Sequence, residues 1–168
     1  VVALALFVFA CGCEKAKMTQ PGEEAGGPSE ALEAPAVSGS VNVANVTFAS
    51  GGKSVNVPVE IAATDEERMK GLMGRAELPF KTGGMWFVFP EDMNDPFWMK
   101  DTVVPLDMIF IGSDMKVVDI KKDTVPNSEE KLFPKVSYRY VLEVAAGFAA
   151  KNGIVEGDTV VYGMGPSK

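Results

Sequence analysis

The hexapeptide Leu106-Asp107-Met108-Ile109-Phe110-Ile111 constrains the fold most. Side chains of a strand alternate between two faces, and here both faces are apolar apart from Asp107. Such a strand has to be covered on both sides, which places it in the interior of a sheet. Asp107 interrupts the face carried by Ile109 and Ile111. A carboxylate left unpaired there is costly, so it calls for a partner among Lys100, Arg68 and Arg75.

The neighbouring sequence supplies more strands with short connections. Val46-Thr47-Phe48, a Gly51-Gly52 turn and the alternating run Val55 to Ile61 read as a hairpin, with Pro58 marking an edge or a bulge. Thr64-Asp65-Glu66-Glu67 is a capping box that opens a helix running to about Ala76. That helix would carry Met69, Leu72, Met73 and Ala76 on one stripe, with Arg68 and Arg75 in line beside Leu72. Gly71 and Gly74 inside it imply a close-packed neighbour. Met85 to Phe89 is an apolar strand closed by Pro90. Phe97-Trp98-Met99-Lys100-Asp101-Thr102 reads as a strand with Phe97, Met99 and Asp101 on one face and Trp98, Lys100 and Thr102 on the other. Lys116 to Ile120 completes a second hairpin, and Lys121 to Ser137 is a long polar loop. Tyr138 to Val144 is a strand, Ala145 to Asn152 a short helix stopped by Gly153, and Thr159 to Tyr162 the last strand. The fold class is therefore α+β: a largely antiparallel sheet of about seven or eight strands, able to curl into a barrel, with two short helices.

Composition narrows the chemistry. The 168 residues include no histidine, which removes the commonest general base and the commonest zinc ligand. The net charge of −7 argues against nucleic acid as a partner. Both cysteines, Cys11 and Cys13, lie at the N-terminus, so the domain beyond them has no disulfide and no thiolate metal site. Neither a metal nor a cofactor is expected.

Residues 1–13 begin with VVALALFVFA, an apolar run of signal-peptide length that is too short to span a bilayer. The charged segment that precedes such a run in a signal peptide is not in this sequence. Val8-Phe9-Ala10-Cys11 is similar to a bacterial lipobox, with Cys11 as the acylated residue and Cys13 as the alternative. A plain secretory signal is the competing reading. Residues 14–45, rich in Pro, Gly, Ala and Glu, read as a disordered tether. Residues 46–165 form a single domain. The expected location is the cell envelope, with a lipid anchor in a membrane, or secretion in soluble form.

Several segments in order resemble the DUF192 family: Glu66 to Arg75, Gly84-Met85, Phe97 to Thr102, Pro105-Leu106-Asp107, Tyr140 to Val144, Ala146-Gly147 and Gly153 to Asp158. The family pattern Trp-Met-Lys-Asn-Thr has Asp101 at its fourth position here. The family name denotes a domain of unknown function, so the resemblance implies fold and site but no activity. Its members are often exported, in keeping with the N-terminus. The motif residues it implies are Arg68, Gly71, Arg75, Trp98, Met99, Lys100, Thr102, Asp107 and Glu143.

Three functional readings follow. Arg68, Arg75, Trp98, Lys100, Asp101, Thr102, Asp107 and Glu143 can line a cleft for a small polar ligand, a glycan or a peptide. Asp101 and Asp107 could instead serve as an acid and base pair, or Lys100 as a nucleophile, in a cell-envelope hydrolase. Alternatively, Trp98 and Met99 are core and Asp107 is a buried ion-pair partner in a structural or protein-binding domain. The first reading is the one the sequence favours. Nine methionines are better explained as core filling than as soft-metal ligands.

Overall fold

A computed structural model describes residues 43–79 and 83–164. The apolar N-terminal run, Cys11, Cys13 and the proposed tether up to residue 42 lie outside the described residues. The elements are β1 (Val43–Ser50), β2 (Lys53–Ala62), α1 (Asp65–Lys70), β3 (Gly84–Met93), β4 (Leu106–Ile111), β5 (Val117–Lys121), β6 (Tyr138–Ala145), α2 (Phe148–Asn152) and β7 (Thr159–Met164). The first strand starts three residues before the boundary expected from sequence.

The strands form one sheet in the order β5-β4-β6-β3-β2-β1-β7. All neighbours are antiparallel except β2 and β3. The sheet is a mixed, mostly antiparallel half-barrel. Its two outer strands approach each other through a Lys116–Thr159 bridge, and Val160 N–H donates to the Met115 carbonyl at 2.8 Å. The expected central strand is β4, with all six residues buried. Gly51 and Gly52, with φ of 54° and 78°, make the tight β1–β2 turn. Pro58 is not on an outer strand. Pairing with β3 begins only at Val59, so the proline lies just before that register.

Parallel pairing of β2 with β3 needs a crossover, and α1 with the turns after it supplies one. Thr64 caps α1 as expected: Glu67 N–H donates to the Thr64 hydroxyl at 3.2 Å, and the Glu67 carboxylate accepts from Thr64 N–H at 2.9 Å. Hydrogen bonds from the Thr64 and Ala63 amides hold the Glu67 carboxyl below its usual range. The helix stops at Lys70, however, and not near Ala76. Gly71 has φ of 45°, outside the right-handed helix, and the Phe87 ring lies 3.3 Å from where a Cβ would stand. The close neighbour was foreseeable. The early stop was not, and it leaves Met69 78% exposed and Arg75 off the helix.

Alternation along three adjacent strands sorts the core into two layers. Trp86, Ile109, Ile111, Leu142 and Val144 face the layer shared with β1, β2, β7 and α2. Met85, Phe87, Leu106, Met108, Phe110 and Val141 face the opposite layer, closed by Leu72, Met99 and Tyr138. The candidate site belongs to the second layer.

Candidate functional site

On the second face, the register aligns Met85, Glu143 and Met108 in one row across β3, β6 and β4. Glu143 is only 5% exposed. Among the described residues, no group hydrogen-bonds to its carboxyl or pairs with it. Burial alone pushes it up to about 8, so it is mostly protonated at neutral pH.

Glu143 forms part of the lining of a cleft of about 550 Å³. Its walls are largely aromatic: Phe87 and Phe89 from β3, Phe97 and Trp98 from the following segment, and Tyr138 from β6. Phe97 makes edge-to-face contacts with Phe87, Phe89, Phe110 and Tyr138 at centroid distances of 5.5 to 6.2 Å. These contacts fix the rings before any ligand arrives. Tyr138 donates to the Asp95 carbonyl at 3.0 Å, and burial raises its phenol further above the usual range. Trp98 is 47% exposed and Met69 more so, so two large apolar side chains sit in solvent beside an apolar cleft.

Arg68 reaches the cleft from α1. Its guanidinium donates to the Val88 carbonyl at 2.7 Å, to the Ala63 carbonyl and to Asp65, and its Cζ lies 5.2 Å from the Phe89 centroid. It clamps α1 onto the sheet while lending its stem to the wall. Thr102, 6% exposed, also contributes to the lining.

The other residues expected at the site are elsewhere. Arg75 makes a bidentate pair with Glu60 at 2.7 and 2.8 Å, and this hydrogen bonding raises the guanidinium further above its ordinary value. Lys100 is exposed, 3.9 Å from Glu129. The expected strand over Phe97 to Thr102 is absent. Phe97 makes only an isolated bridge to Leu132, and Lys100 and Asp101 form a turn. Asp101 has φ of 54° and accepts Gly74 N–H on its carbonyl at 2.8 Å. Asn and Asp tolerate that left-handed backbone better than most residues, which accounts for Asp at a position where the family has Asn.

Asp107 also departs from expectation. None of Lys100, Arg68 and Arg75 is its partner. Oδ1 accepts N–H bonds from Asp123 at 2.9 Å and Gly147 at 3.2 Å, and Oδ2 accepts from Ala149 at 2.9 Å. Gly147 is the N-cap of α2, so Asp107 caps that helix from the adjacent strand. Asp107 lies opposite Val144 while Glu143 lies opposite Met108. One-residue alternation therefore sends the two carboxyls to opposite faces, and they cannot share a site. Neither Asp101 nor Asp107 lines the cleft, and both oxygens of Asp107 are taken by backbone amides.

Sequence reasoning missed the aromatic walls. Phe87 and Phe89 were visible as alternate residues of one strand, but Phe97 and Tyr138 join them only through tertiary contacts. It also missed Asp119, which is buried, pairs with Lys121 at 2.7 Å and accepts Ile120 and Lys135 amides. The direct Lys121 hydrogen bond, its charge and the two amides outweigh burial, which by itself would raise the carboxyl, and hold it below its usual range. The ion pair lies within β5, the Lys135 amide ties the loop before β6 to that strand, and neither Asp119 nor Lys121 lines the cleft.

Known structures share this architecture. A protein of unknown function from Novosphingobium aromaticivorans DSM 12444 is 38% identical, with a TM-score of 0.69 over 75% of this chain and 89% of that one. A candidate transcription regulator from Sinorhizobium meliloti 1021 is 33% identical, with a TM-score of 0.69 over 73% of this chain and 95% of that one. No curated protein matches the chain. Residues 46–162 match the model of DUF192, described as an uncharacterized ACR, and the chain belongs to that family.

Proposed function

We propose that the domain is a non-catalytic binding module for a small ligand, held in the aromatic cleft between α1 and the Phe97–Trp98 segment. The observation that carries this reading is Glu143. A buried carboxyl with no partner among the described residues, facing an apolar cleft, is a polar group waiting for one. The half-exposed Trp98 offers a ring for stacking. The ligand classes expected from sequence are a small polar ligand, a glycan or a peptide. The site is redrawn around Glu143, Trp98, Tyr138 and Thr102, without Arg75, Lys100, Asp101 and Asp107.

A thermal-shift screen of the full chain against amines, carboxylates, sugars, nucleotides and short peptides tests this. A ligand that binds only the folded state stabilises it by about 2.7 kcal/mol at a hundredfold excess over its Kd. The expected result is a shift that disappears in Trp98→Ala. A shift that survives both Trp98→Ala and Glu143→Gln would remove the cleft from consideration. One observation favours a second reading: a carboxyl raised to about 8 suits a general acid or base. Product formation from a glycan or peptide library, lost in Glu143→Gln, would establish the enzyme and end the binder reading.

The proposal includes an exported domain tethered to a membrane through an acylated Cys11, with Cys13 as the alternative. It is supported by the apolar run and the small residues around the cysteines. Incorporation of labelled palmitate that persists in a Cys11→Ser, Cys13→Ser double variant would sink it. Charge and helix length among the described residues give no support to a DNA-binding role of the kind the Sinorhizobium relative's name suggests. The net charge is −7, and the described helices have six and five residues, too short to present a recognition helix to a major groove.

A further inference from the structure

We infer that the ligand of this cleft is an organic cation, an ammonium on an apolar body, whose charged head seats on the Glu143 carboxyl among the aromatic walls. The inference deepens the binding-module reading and rests on it. Three independent features point to positive charge. The buried carboxyl has no partner among the described residues. The rings of Phe87, Phe89, Phe97, Trp98 and Tyr138 surround the space beside it, and aromatic faces attract cations. The rim carries the exposed carboxylates Glu91 and Asp95 against the ammonium of Lys70, while Asp65 and Arg68 pair with each other.

Arg68, the other cation at the rim, favours no anion, because its donors are committed to Ala63, Val88 and Asp65. It does not contribute to the shift of Glu143, which burial alone produces. The groups that titrate or carry charge around the cleft are Asp65, Arg68 and Lys70 on the α1 side, Glu91 and Asp95 on the β3 side, and Tyr138 on β6. From β4, the neighbour of Glu143 is Met108, which does not titrate.

Binding is coupled to a proton. At neutral pH the empty cleft holds a carboxylic acid. An entering ammonium forms an ion pair with the carboxylate, and the displaced proton passes to solvent. Affinity for an ammonium therefore rises with pH by up to about tenfold per unit until the carboxyl is ionised in the free protein, then levels off. A ligand that uses the neutral acid as a hydrogen-bond donor shows the opposite slope.

The test is isothermal titration calorimetry of the full chain with phenethylamine, 2-phenylethanol and 3-phenylpropionate, at pH values about two units apart below the Glu143 value. The amine is expected to bind best and to tighten by tenfold or more at the higher pH. Its heat should vary with the ionisation enthalpy of the buffer, reporting proton release. Glu143→Gln, an isostere of the protonated acid, keeps the fold and abolishes both the pH slope and the proton release. Glu91→Gln weakens the amine a few-fold at low salt. Tighter binding of the alcohol or the carboxylate, a flat pH profile, or an unchanged Glu143→Gln variant would each overturn the cation assignment. If such binding still required Trp98, the binding-module reading would stand. No heat from any of the three compounds also overturns the cation assignment, while the broader reading is decided by the thermal-shift screen.

Discussion

Replacing Asp107 by alanine should be among the most destabilising changes available in this domain. The carboxylate is fully buried and accepts three backbone N–H bonds, at 2.9, 3.2 and 2.9 Å. Truncation leaves the amides of Asp123, Gly147 and Ala149 without that acceptor. The Ala149 amide is buried and costs about 1–3 kcal/mol when unsatisfied, the part-buried Asp123 and Gly147 amides cost less because water reaches them, and the lost side chain leaves a small void, so the total comes to about 3–5 kcal/mol. Asp107→Asn retains one acceptor oxygen but turns an amide toward at least one N–H, at a cost of about 2–4 kcal/mol. Urea unfolding with an unchanged m-value measures both losses. Hydrogen exchange should show faster opening of the Gly147 and Ala149 amides and fraying of α2. Neither variant should change ligand binding in the cleft except through stability, because Asp107 faces the other layer. A loss below about 1 kcal/mol in Asp107→Ala would refute the capping role.

Other outcomes are equally specific. The Glu143 carboxyl is raised in the folded state from its ordinary 4.5 to about 8, so the folded protein binds this proton more tightly than the unfolded chain. Its contribution is fully present below pH about 4.5 and is lost as pH rises toward about 8, a fall of roughly 3–5 kcal/mol, and Glu143→Gln should remove most of that slope in urea titrations at several pH values. Gly84→Ala would place a Cβ 2.1 Å from the Glu143 carbonyl oxygen, in the β3–β6 ladder. It should cost about 2–4 kcal/mol by the same unfolding assay, and a neutral result would argue against the close approach. Asp101→Asn should be nearly silent and Asp101→Val should lose about 1–2 kcal/mol, because φ of 54° is strained for a β-branched residue. Equal melting temperatures for the two Asp101 variants would contradict that turn geometry.

Short-range physics was legible in the sequence wherever one residue decided the outcome. The Thr64–Glu67 capping box, the Gly51-Gly52 hairpin and the Gly153 stop of α2 are local devices, and each occurs at its expected position. The doubly apolar run Leu106–Ile111 is interior to the sheet because no other environment covers both faces. The helix over Thr64 to Ala76 was misjudged because apolar spacing continues past Gly71. What ends it is the backbone at that glycine and a phenylalanine from another strand. The segment Phe97 to Thr102 alternates like a strand, yet its backbone groups find partners in Leu132, Ser128 and Gly74, far along the chain.

The sequence by itself determined the strand-rich α+β class, the absence of histidine chemistry and the presence of buried carboxyls among apolar strands. Periodicity and composition are properties of neighbours along the chain, so these features needed no partner to be visible. Tertiary structure alone decided what the carboxyls face. Asp107 and Glu143 look alike in sequence, each a single acid within an apolar run. Strand register then turned one toward the backbone amides around α2, which satisfy it, and the other toward a ring of aromatic side chains that offer it no hydrogen bond. That difference arises from pairing between distant strands, and it separates a structural aspartate from the glutamate at the candidate site.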